Sequence, residues 1–556
     1  MRQTHRPPGD RCRQPGCFPE PHNAARTPFG APTRNRWAIV ALALVAAPAF
    51  GDDATTRPRE LRTWRPIALV GLQPADGLDA RDRWMPTAVE EVLTRRLRRV
   101  PGLAVVSTMR AYQARREMRD GDQPPPWPRV LAALGVKTRI GGTVAGPPHQ
   151  CRIRLELVGD RGEPVTGEFG PARMFDALDQ ATEWLLGRLV SSRVDDKLRR
   201  LLLTPPARSP SALEYYARAV IAARKDNMRD VVYYLEKAAD YDPGQPQVQI
   251  MLAQVEARTS PEARATAAAR LRHIQRQAQQ VGDVGLDLDV ELTHGAMLVA
   301  ERSFESAAMR FARCREIATE RGDVYRRIAA INALADTYLS QEAELARQED
   351  AESKREERNA KLAAASALLD EALDLLARLG DRVAEGPIAN KHALLLERLG
   401  LNDRALEMHQ RSLAAAEAIG SRANQATAWM FLGQWYRRAQ RYDEALDATR
   451  KCLELASRDA HPRVRIALAD IYAARGDTEE ALREFQQAYD ELIDTDDLQN
   501  QLLCLERIAE LQAQRGRNDA AVDALTDALD IAEVLEWKDR AAKIRARRDQ
   551  LKRGAP

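Results

Sequence analysis

The chain holds reactive side chains, but not at the spacings that chemistry needs. The eight histidines, at 5, 22, 149, 273, 294, 392, 409 and 461, stand singly, so no i, i+4 pair offers two imidazoles to a metal from one helix face. No G-x-x-x-x-G-K-[ST], H-E-x-x-H, G-x-S-x-G or kinase H-R-D and D-F-G set occurs, which excludes the commonest phosphate, zinc and acyl-transfer machinery. Gly141-Gly142-Thr143 has the composition of a phosphate loop. A strand pattern follows it instead of a helix start, so it reads as a β-bulge or tight turn. Glu90-Glu91 and Glu479-Glu480 are neighbours on helical stretches, and adjacent helix positions face apart, so neither is an acid/base pair. None of the six cysteines forms C-x-x-C. Cys314 and Cys452 each follow a small alanine (Ala307, Ala445) by seven residues and read as small core residues. No catalytic residue, metal site or cofactor is expected.

What remains is recognition. Asn390 and Arg398, Gln434, Arg437 and Arg438, Arg463 and Asp470, and Glu506 and Glu510 fall on stretches that periodicity reads as the first helices of successive helical hairpins. In a stack of hairpins those helices line the inner surface. Arginine forks there suit a carboxylate or the backbone carbonyls of an extended peptide. The expected partners are proteins or peptides.

The elements that must position these residues begin at Trp429-x-x-Leu432-Gly433-x-x-Tyr436, followed by Ala445, Leu446 and Cys452. The pattern restarts with Leu468-Ala469-x-x-Tyr472, Gly476, Ala481-x-x-x-Phe485 and Ala488. Small residues let two helices cross closely, and the large ones fill the gaps beside them. The first pass matches the W-x2-L-G-x2-Y half of the tetratricopeptide (TPR) signature and the second its A-x3-F half. Hairpins are expected over Ala212–Pro243, Pro246–Val281, Leu286–Arg321, Tyr325–Leu379, Pro387–Ile419, Asn424–Ala456, Pro462–Ile493 and Gln499–Val534. The TPR-like array thus covers 212–534. Gly380, Gly400, Gly420, Gly476 and Gly516 are placed to end helices. Gln341–Ala360 inserts seven acidic and four basic residues around one Leu, which reads as an overlong, solvated pair of helix ends. Residues 535–556 read as a basic capping helix.

Upstream the character changes. Ile67–Val70 reads as a strand, Trp84–Val100 as an amphipathic helix, Leu103–Val106 as a second strand, and Ser107-Thr108 as a helix cap. Pro124-Pro125-Pro126 breaks that helix. Ile140–Val144, Cys151–Leu157 and Pro164–Phe169 read as strands with turns between them, and Met174–Val190 as a closing helix. Pro66–Val70, Leu103–Ser107, Leu134-Gly135-Val136, Ile140–Val144 and the Arg152–Leu157 hairpin with Gly162–Val165 resemble the TolB N-terminal-like domain. The resemblance covers residues 66–190. It implies a small α/β domain (61–200) of the kind that precedes TPR arrays in bacterial envelope proteins and in the sensor portions of cyclases, kinases and CadC-like regulators. Residues 201–211, centred on Pro205-Pro206-Ala207-Arg208-Ser209-Pro210, read as a semi-rigid linker, so the α/β and helical regions are expected to be separable there. The fold class is therefore multidomain: a small α/β domain, then an all-α TPR-like solenoid.

Residues 1–33 are rich in Pro and Arg and read as disordered or as an over-called start of translation. Residues 34–51 combine Arg34-Asn35-Arg36, an apolar run Trp37–Ala47 and small residues at Ala49 and Gly51, the layout of a secretory signal peptide. Its alternative is a short anchor, the one expected membrane contact (residues 37–51), which would make the chain a membrane-held sensor ectodomain facing the periplasm. The expectation is a periplasmic or secreted scaffold of the cell envelope. The net charge of +3 conceals seven Arg against Asp10 and Glu20 in residues 1–36. The rest of the chain is slightly acidic, so no global field draws it to nucleic acid.

Overall fold

A computed structural model describes residues 64–119, 123–159, 163–190, 194–348 and 352–554. The leader, signal-peptide and anchor expectations lie outside these residues. Among the described residues no helix is long and apolar enough to cross a membrane.

The α/β region contains β1 (Ile67–Leu69), β2 (Gln73–Pro74), α1 (Met85–Arg98), α2 (Thr108–Glu117), α3 (Trp127–Ala133), β3 (Thr138–Ala145), β4 (Cys151–Gly159), β5 (Val165–Ala172), α4 (Met174–Leu189) and α5 (Asp196–Leu202). β1 and then β2 run parallel to β3, whereas β3, β4 and β5 are antiparallel neighbours. The expected strand at 103–106 is reduced to a single parallel bridge between Ile67 and Val105. It is held by Ile67 N–H to the Ala104 carbonyl (2.8 Å) and Val106 N–H to the Ile67 carbonyl (2.9 Å). Ser107 caps α2 by accepting from the Arg110 N–H. Gly141 and Gly142 are neither bulge nor turn; they pair in register with Glu156 and Leu155. A side chain on Gly142 would meet the Arg154 carbonyl at 1.9 Å, so close strand approach, not ligand binding, explains these glycines.

Helical hairpins with apolar inner seams follow, and then a lone last helix. The hairpins are α6 (Pro210–Arg224) with α7 (Met228–Tyr241), α8 (Pro246–Glu256) with α9 (Pro261–Val281), α10 (Val284–Ala300) with α11 (Phe304–Arg321) and α12 (Val324–Leu345) with α13 (Arg355–Leu379). Then come α14 (Arg382–Arg398) with α15 (Asn402–Ile419), α16 (Arg422–Arg438) with α17 (Tyr442–Leu455), α18 (His461–Arg475) with α19 (Thr478–Leu492), α20 (Leu498–Gln514) with α21 (Asn518–Val534), and finally α22 (Lys538–Gly554). Each expected hairpin is present. In the fourth, residues 341–345 of the insert extend α12 and residues 355–360 extend α13. Pro387 lies inside α14 and does not begin it. The helix starts earlier because Asp381 accepts from the Ala384 N–H, a capping bond that outweighs the missing donor one turn on.

The small-large packing logic holds at named positions. Ala445, Ala481 and Ala521 are fully buried, and a Cβ on Gly433 would meet the Thr449 Oγ1 at 2.4 Å. Cys314 and Cys452 are buried on second helices and free, and Cys151 on β4 and Cys504 on α20 are likewise buried and free.

The α/β region is present but less clearly a separate domain than expected. One hydrophobic cluster runs from Leu69, Val89 and Ile153 through Leu178 to Tyr216, Leu235 and Val248, so sheet, α1, α4 and the first hairpins share a core. The residues read as a linker are docked. Ala207 is buried, the Arg208 N–H donates to Asp242 (3.0 Å), and the Gln245 side chain donates to the Pro206 carbonyl (3.2 Å). Ser209 then caps α6, with Pro210 at its first turn, where a missing N–H costs nothing.

The α/β region also lies along the solenoid's inter-hairpin turns. Four successive turns, Gly282-Asp283, Gly322-Asp323, Gly380-Asp381 and Gly420-Ser421, begin with a left-handed glycine. Arg99 pairs with Asp283, the Gly102 N–H donates to the Arg321 carbonyl (3.0 Å), and Arg110 reaches Asp381 (3.3 Å). Arg129 donates to the carbonyls of Ile419 and Gly420, and the Ser421 hydroxyl donates to the Glu117 carbonyl (2.9 Å). Val383 and Ile419 join Ala68, Val70, Val106 and Leu134 in one apolar cluster. The approach is tight: a Cβ on Gly135 would meet the Leu379 carbonyl at 2.0 Å.

Candidate peptide-binding groove

The inner face of the solenoid is built by the first helix of each hairpin, and its two ends are finished differently. In the earlier hairpins the inward polar groups satisfy one another. Glu342 of α12, 1% exposed, receives Arg358 of α13 (2.9 Å) and Arg398 of α14. Lys391 of α14 pairs with Asp336 and donates to Asn332 of α12 (2.9 Å). Asn390 bonds Nδ1 of the buried His409 (2.9 Å), whose Nε2 meets Glu397 (2.8 Å), and Glu397 in turn takes Arg438 (2.5 Å). Asn390 and Arg398 are therefore structural cross-links between helices and do not line an open groove.

From α16 onward the face opens. Gln434, Arg437, Arg438 and Asp470 line one hollow of about 230 Å³, together with Thr449, Ala467 and Ile471. Arg437, Asp470 and Glu510 reappear in the next, of about 330 Å³, with Phe485, Arg507 and Gln514. Glu506 and Glu510 line a third, of about 300 Å³, with Arg507, Leu503, Lys543, Ile544 and Arg547. Shared residues make the three a continuous groove across α16, α18, α20 and α22. Arg463 is not in it. It sits at the start of α18, its side chain 64% exposed and 3.4 Å from Asp497 on the turn edge.

Arg507, Lys543 and Arg547 escape the sequence reading because residues 535–556 read as a cap. The signal is nevertheless present: Gln434, Asp470 and Glu506 recur every 36 residues, and Lys543 follows at nearly the same interval. That places α22 as one more first-type helix, with Ile544 buried against the stack.

The groove's electrostatics are asymmetric. Its carboxylates have partners: Glu506 takes Arg540 through two bonds (3.0 and 2.5 Å), and Glu510 takes Arg507 (3.0 Å). Asp470 lies 3.8 Å from Arg507, and burial raises its pKa against the opposing pull of Arg507 and Arg437. Among the described residues the side chains of Arg437, Lys543 and Arg547 make no hydrogen bond or ion pair, although Arg437 remains close enough to Asp470 to act on it electrostatically.

One constellation elsewhere has the atoms of a hydrolytic relay. The Ser366 hydroxyl lies 2.8 Å from His392 Nε2, and His392 Nδ1 lies 3.6 Å from Asp370. The second distance is too long for a hydrogen bond, and Nδ1 has no partner. Ser366 is 7% exposed and His392 fully buried, so no substrate carbonyl can reach the hydroxyl. Arg404 approaches Asp370 from outside (3.3 Å). Ser366 and His392 form a buried contact between α13 and α14, with Asp370 at its exposed rim. The cysteines among the described residues are equally unsuited to nucleophilic work: burial pushes the Cys452 thiol up to about 11 and Cys151 up to about 12, far from the thiolate form that reacts.

Comparison with known proteins gives a family match over part of the solenoid. A family model described as tetratricopeptide repeat matches residues 385–458 and 462–533. Tetratricopeptide repeat protein 29 of Trypanosoma brucei brucei is 26% identical over 215 residues, 38% of this chain and 42% of its own length. The match thus spans less than half of that relative. Among solved structures, a signal-transduction ATPase with a tetratricopeptide repeat sensor from Pyrococcus horikoshii is 14% identical, with a TM-score of 0.43. That match covers 69% of this chain and 58% of the other. PilF of Pseudomonas aeruginosa is 15% identical, with a TM-score of 0.25, covering 40% of this chain and 93% of the other. The hairpins over residues 385–458 and 462–533 thus match the tetratricopeptide repeat.

Proposed function

We propose that the protein is a non-catalytic interaction scaffold of the bacterial cell envelope, exported to the periplasm or beyond. It holds an extended peptide segment of a partner in the groove across α16, α18, α20 and α22. Tetratricopeptide repeats generally mediate protein–protein contact, and a concave helical face suits an extended ligand. The observation that carries the reading is the continuity of the three hollows, in a solenoid whose earlier inner face is closed by its own ion pairs. The α/β region, which resembles the TolB N-terminal domain in sequence pattern, serves in this reading as a brace for the turn edge. The envelope assignment rests on the layout of residues 34–51.

The test is photo-crosslinking from position 514 of the full chain in cells, in the wild-type background and in an Ala474→Arg variant that fills the middle hollow, which Gln514 also lines. Ala474 lines that hollow and is exposed, so the new side chain does not disturb the core. Loss of crosslinked partners in the variant, with unchanged helicity, is the expected result. Retention of every partner would overturn the groove. Full-length mass in a carbonate-resistant membrane pellet would instead make residues 37–51 an anchor.

A further inference from the structure

We infer that the groove selects peptides carrying two acidic side chains about eight residues apart, with uncharged residues between them. This rests on the groove reading above. Its basis is an inventory of what the groove leaves unpaired. Glu506, Glu510 and Asp470 are committed to Arg540 and Arg507, so an incoming cation finds no free carboxylate. The unpaired charged groups are all cations, and they stand at two places. Arg437 sits at the α16 end, half-buried, in the two adjoining hollows. Lys543 and Arg547 sit at the α22 end, exposed over the third.

A half-buried guanidinium without a partner gains most from a carboxylate, which it can take through two parallel bonds. The two cationic ends are separated by three steps from one first-type helix to the next. At about 8–10 Å per packed helix this is roughly 25–30 Å. An extended chain rising about 3.3 Å per residue crosses that span in about eight residues. Between the ends lie Asp470, Glu506 and Glu510, with Ala473, Ala474 and Phe485 as the apolar floor. The carboxylates there are already paired with Arg507 and Arg540, so the middle offers no free cation and a continuous polyanion such as a single-stranded nucleic acid finds partners only at its ends.

The experiment displays a random library of peptides about twelve residues long against the full chain. Selected peptides are then titrated by fluorescence anisotropy against wild type, Arg437→Ala, Lys543→Ala/Arg547→Ala and Ala474→Arg. Enriched peptides are expected to carry Asp or Glu at two positions seven to nine apart. Gln at either position should weaken binding by about threefold to tenfold. Arg437→Ala should abolish that discrimination at one position only, and the Lys543/Arg547 change at the other only. Peptides enriched without acids, yet lost on Ala474→Arg, would overturn the acidic pattern while leaving the groove standing. Peptides that bind Ala474→Arg as well as wild type would overturn the groove itself. No enrichment at all would overturn both. A short oligothymidylate binding as tightly as the best peptide would show that a polyanion is the ligand and would overturn the spaced-acid inference.

Discussion

Up to α16 the turn edge of the solenoid lies against the α/β region; after α16 it does not, and the chemistry of the helices changes with it. The earlier hairpins bury Asp287, Glu291, Arg326, Asp336, Glu342, Asp381, Glu385, His392 and His409, whereas beyond Ser421 only Thr449 and Gln501 are buried polar side chains among the described residues. Buried charges are tolerated only where geometry pairs them, and the earlier hairpins draw that geometry from a pair of sources. Neighbouring first helices supply one, through Lys391 with Asp336 and Arg398 with Glu342. The α/β region supplies the other. Glu90 of α1, 1% exposed, accepts from the Leu72 N–H (2.8 Å) and takes Arg224 of α6 (3.1 Å), and Arg224 lies 3.7 Å over the Tyr112 ring. The lesson is a division of labour. A solenoid zipped from inside and braced at its edge has little left to offer a ligand, and the unbraced hairpins keep their donors free.

The largest effect is expected from cutting the brace. Expressed apart, residues 64–205 and 206–556 should not recover the folded state, because the cluster from Leu69 to Val248 and the Glu90–Arg224 pair would be divided. Leaving a buried charge without its partner costs about 3–5 kcal/mol, before the lost apolar contact is counted. A fragment of residues 421–556, which relies on its own stacking, should stay helical and melt cooperatively. Circular dichroism and gel filtration of the three fragments decide this. A soluble, cooperatively melting 64–205 would mean that the α/β region is a domain after all.

A smaller effect should separate the braced and open regions within the intact chain. Gly433 lies in α16, where the two meet, and a side chain there collides with Thr449 Oγ1. Overpacking of this kind costs typically about 1–3 kcal/mol. Because stacked repeats couple through nearest neighbours, Gly433→Leu should turn one unfolding transition into two, with the helices after α16 melting first. A single transition at the wild-type midpoint would mean that the crossing has slack.

The braced region should also show its buried charges in the pH dependence of stability. Burial pushes the Asp336 carboxyl up to about 6, against the opposing pull of Lys391. Between pH of about 4 and 6 the folded state holds a proton that the unfolded chain releases, so this group's contribution to stability falls as pH rises through that window and is constant above it. The shift corresponds to on the order of 2–3 kcal/mol. Asp336→Asn should remove that slope from urea titrations made at pH values across the window, whatever it does to stability at a single pH. An unchanged slope would show that Asp336 ionises normally.

How much of this was legible in the sequence follows from the range of the interactions. The hairpins were readable because Ala445, Ala481 and Ala521 with their large partners repeat at helical spacing, and each interacts within its own or the adjoining hairpin. The docking of Arg99, Arg110 and Arg129 onto turns hundreds of residues away leaves no periodic trace. Its faint mark is the recurring Gly-Asp or Gly-Ser at 282, 322, 380 and 420. Pro205–Pro210 looked like a linker because its own residues are poor helix and strand formers, although Asp242 and Gln245 hold it from outside. Of the inner polar positions, Gln434, Arg437, Arg438, Asp470, Glu506 and Glu510 converge on the hollows. Asn390 and Arg398 do not, because periodicity marks the face a side chain leaves from and not the partner that captures it.

The smallest effect concerns the turns inside the hairpins, where the braced and open regions do not differ and a comparison can calibrate the rest. The residue linking α18 to α19 is Gly476 and that linking α20 to α21 is Gly516, both left-handed, with φ of 98° and 72°. At the equivalent place between α16 and α17 stands Gln440, with φ of 59°, and between α10 and α11 stands Arg302, with φ of 61°. A side chain in that region costs about 1–2 kcal/mol through the crowding of Cβ and carbonyl, while glycine gives back roughly half of the gain through its freer unfolded chain. Gln440→Gly should therefore stabilise the open hairpins by about 0.5–1 kcal/mol, and Gly476→Gln should destabilise them by a similar amount. Gln440 is exposed and makes no side-chain hydrogen bond among the described residues, so no lost contact confuses the sign. In the background of Gly433→Leu, where the open hairpins melt separately, the Gln440→Gly change should raise the first transition and leave the second where it was. Movement of the second transition instead would mean that the helices after α16 and the braced hairpins unfold as one unit, and that the division drawn at Ser421 is one of surface chemistry alone.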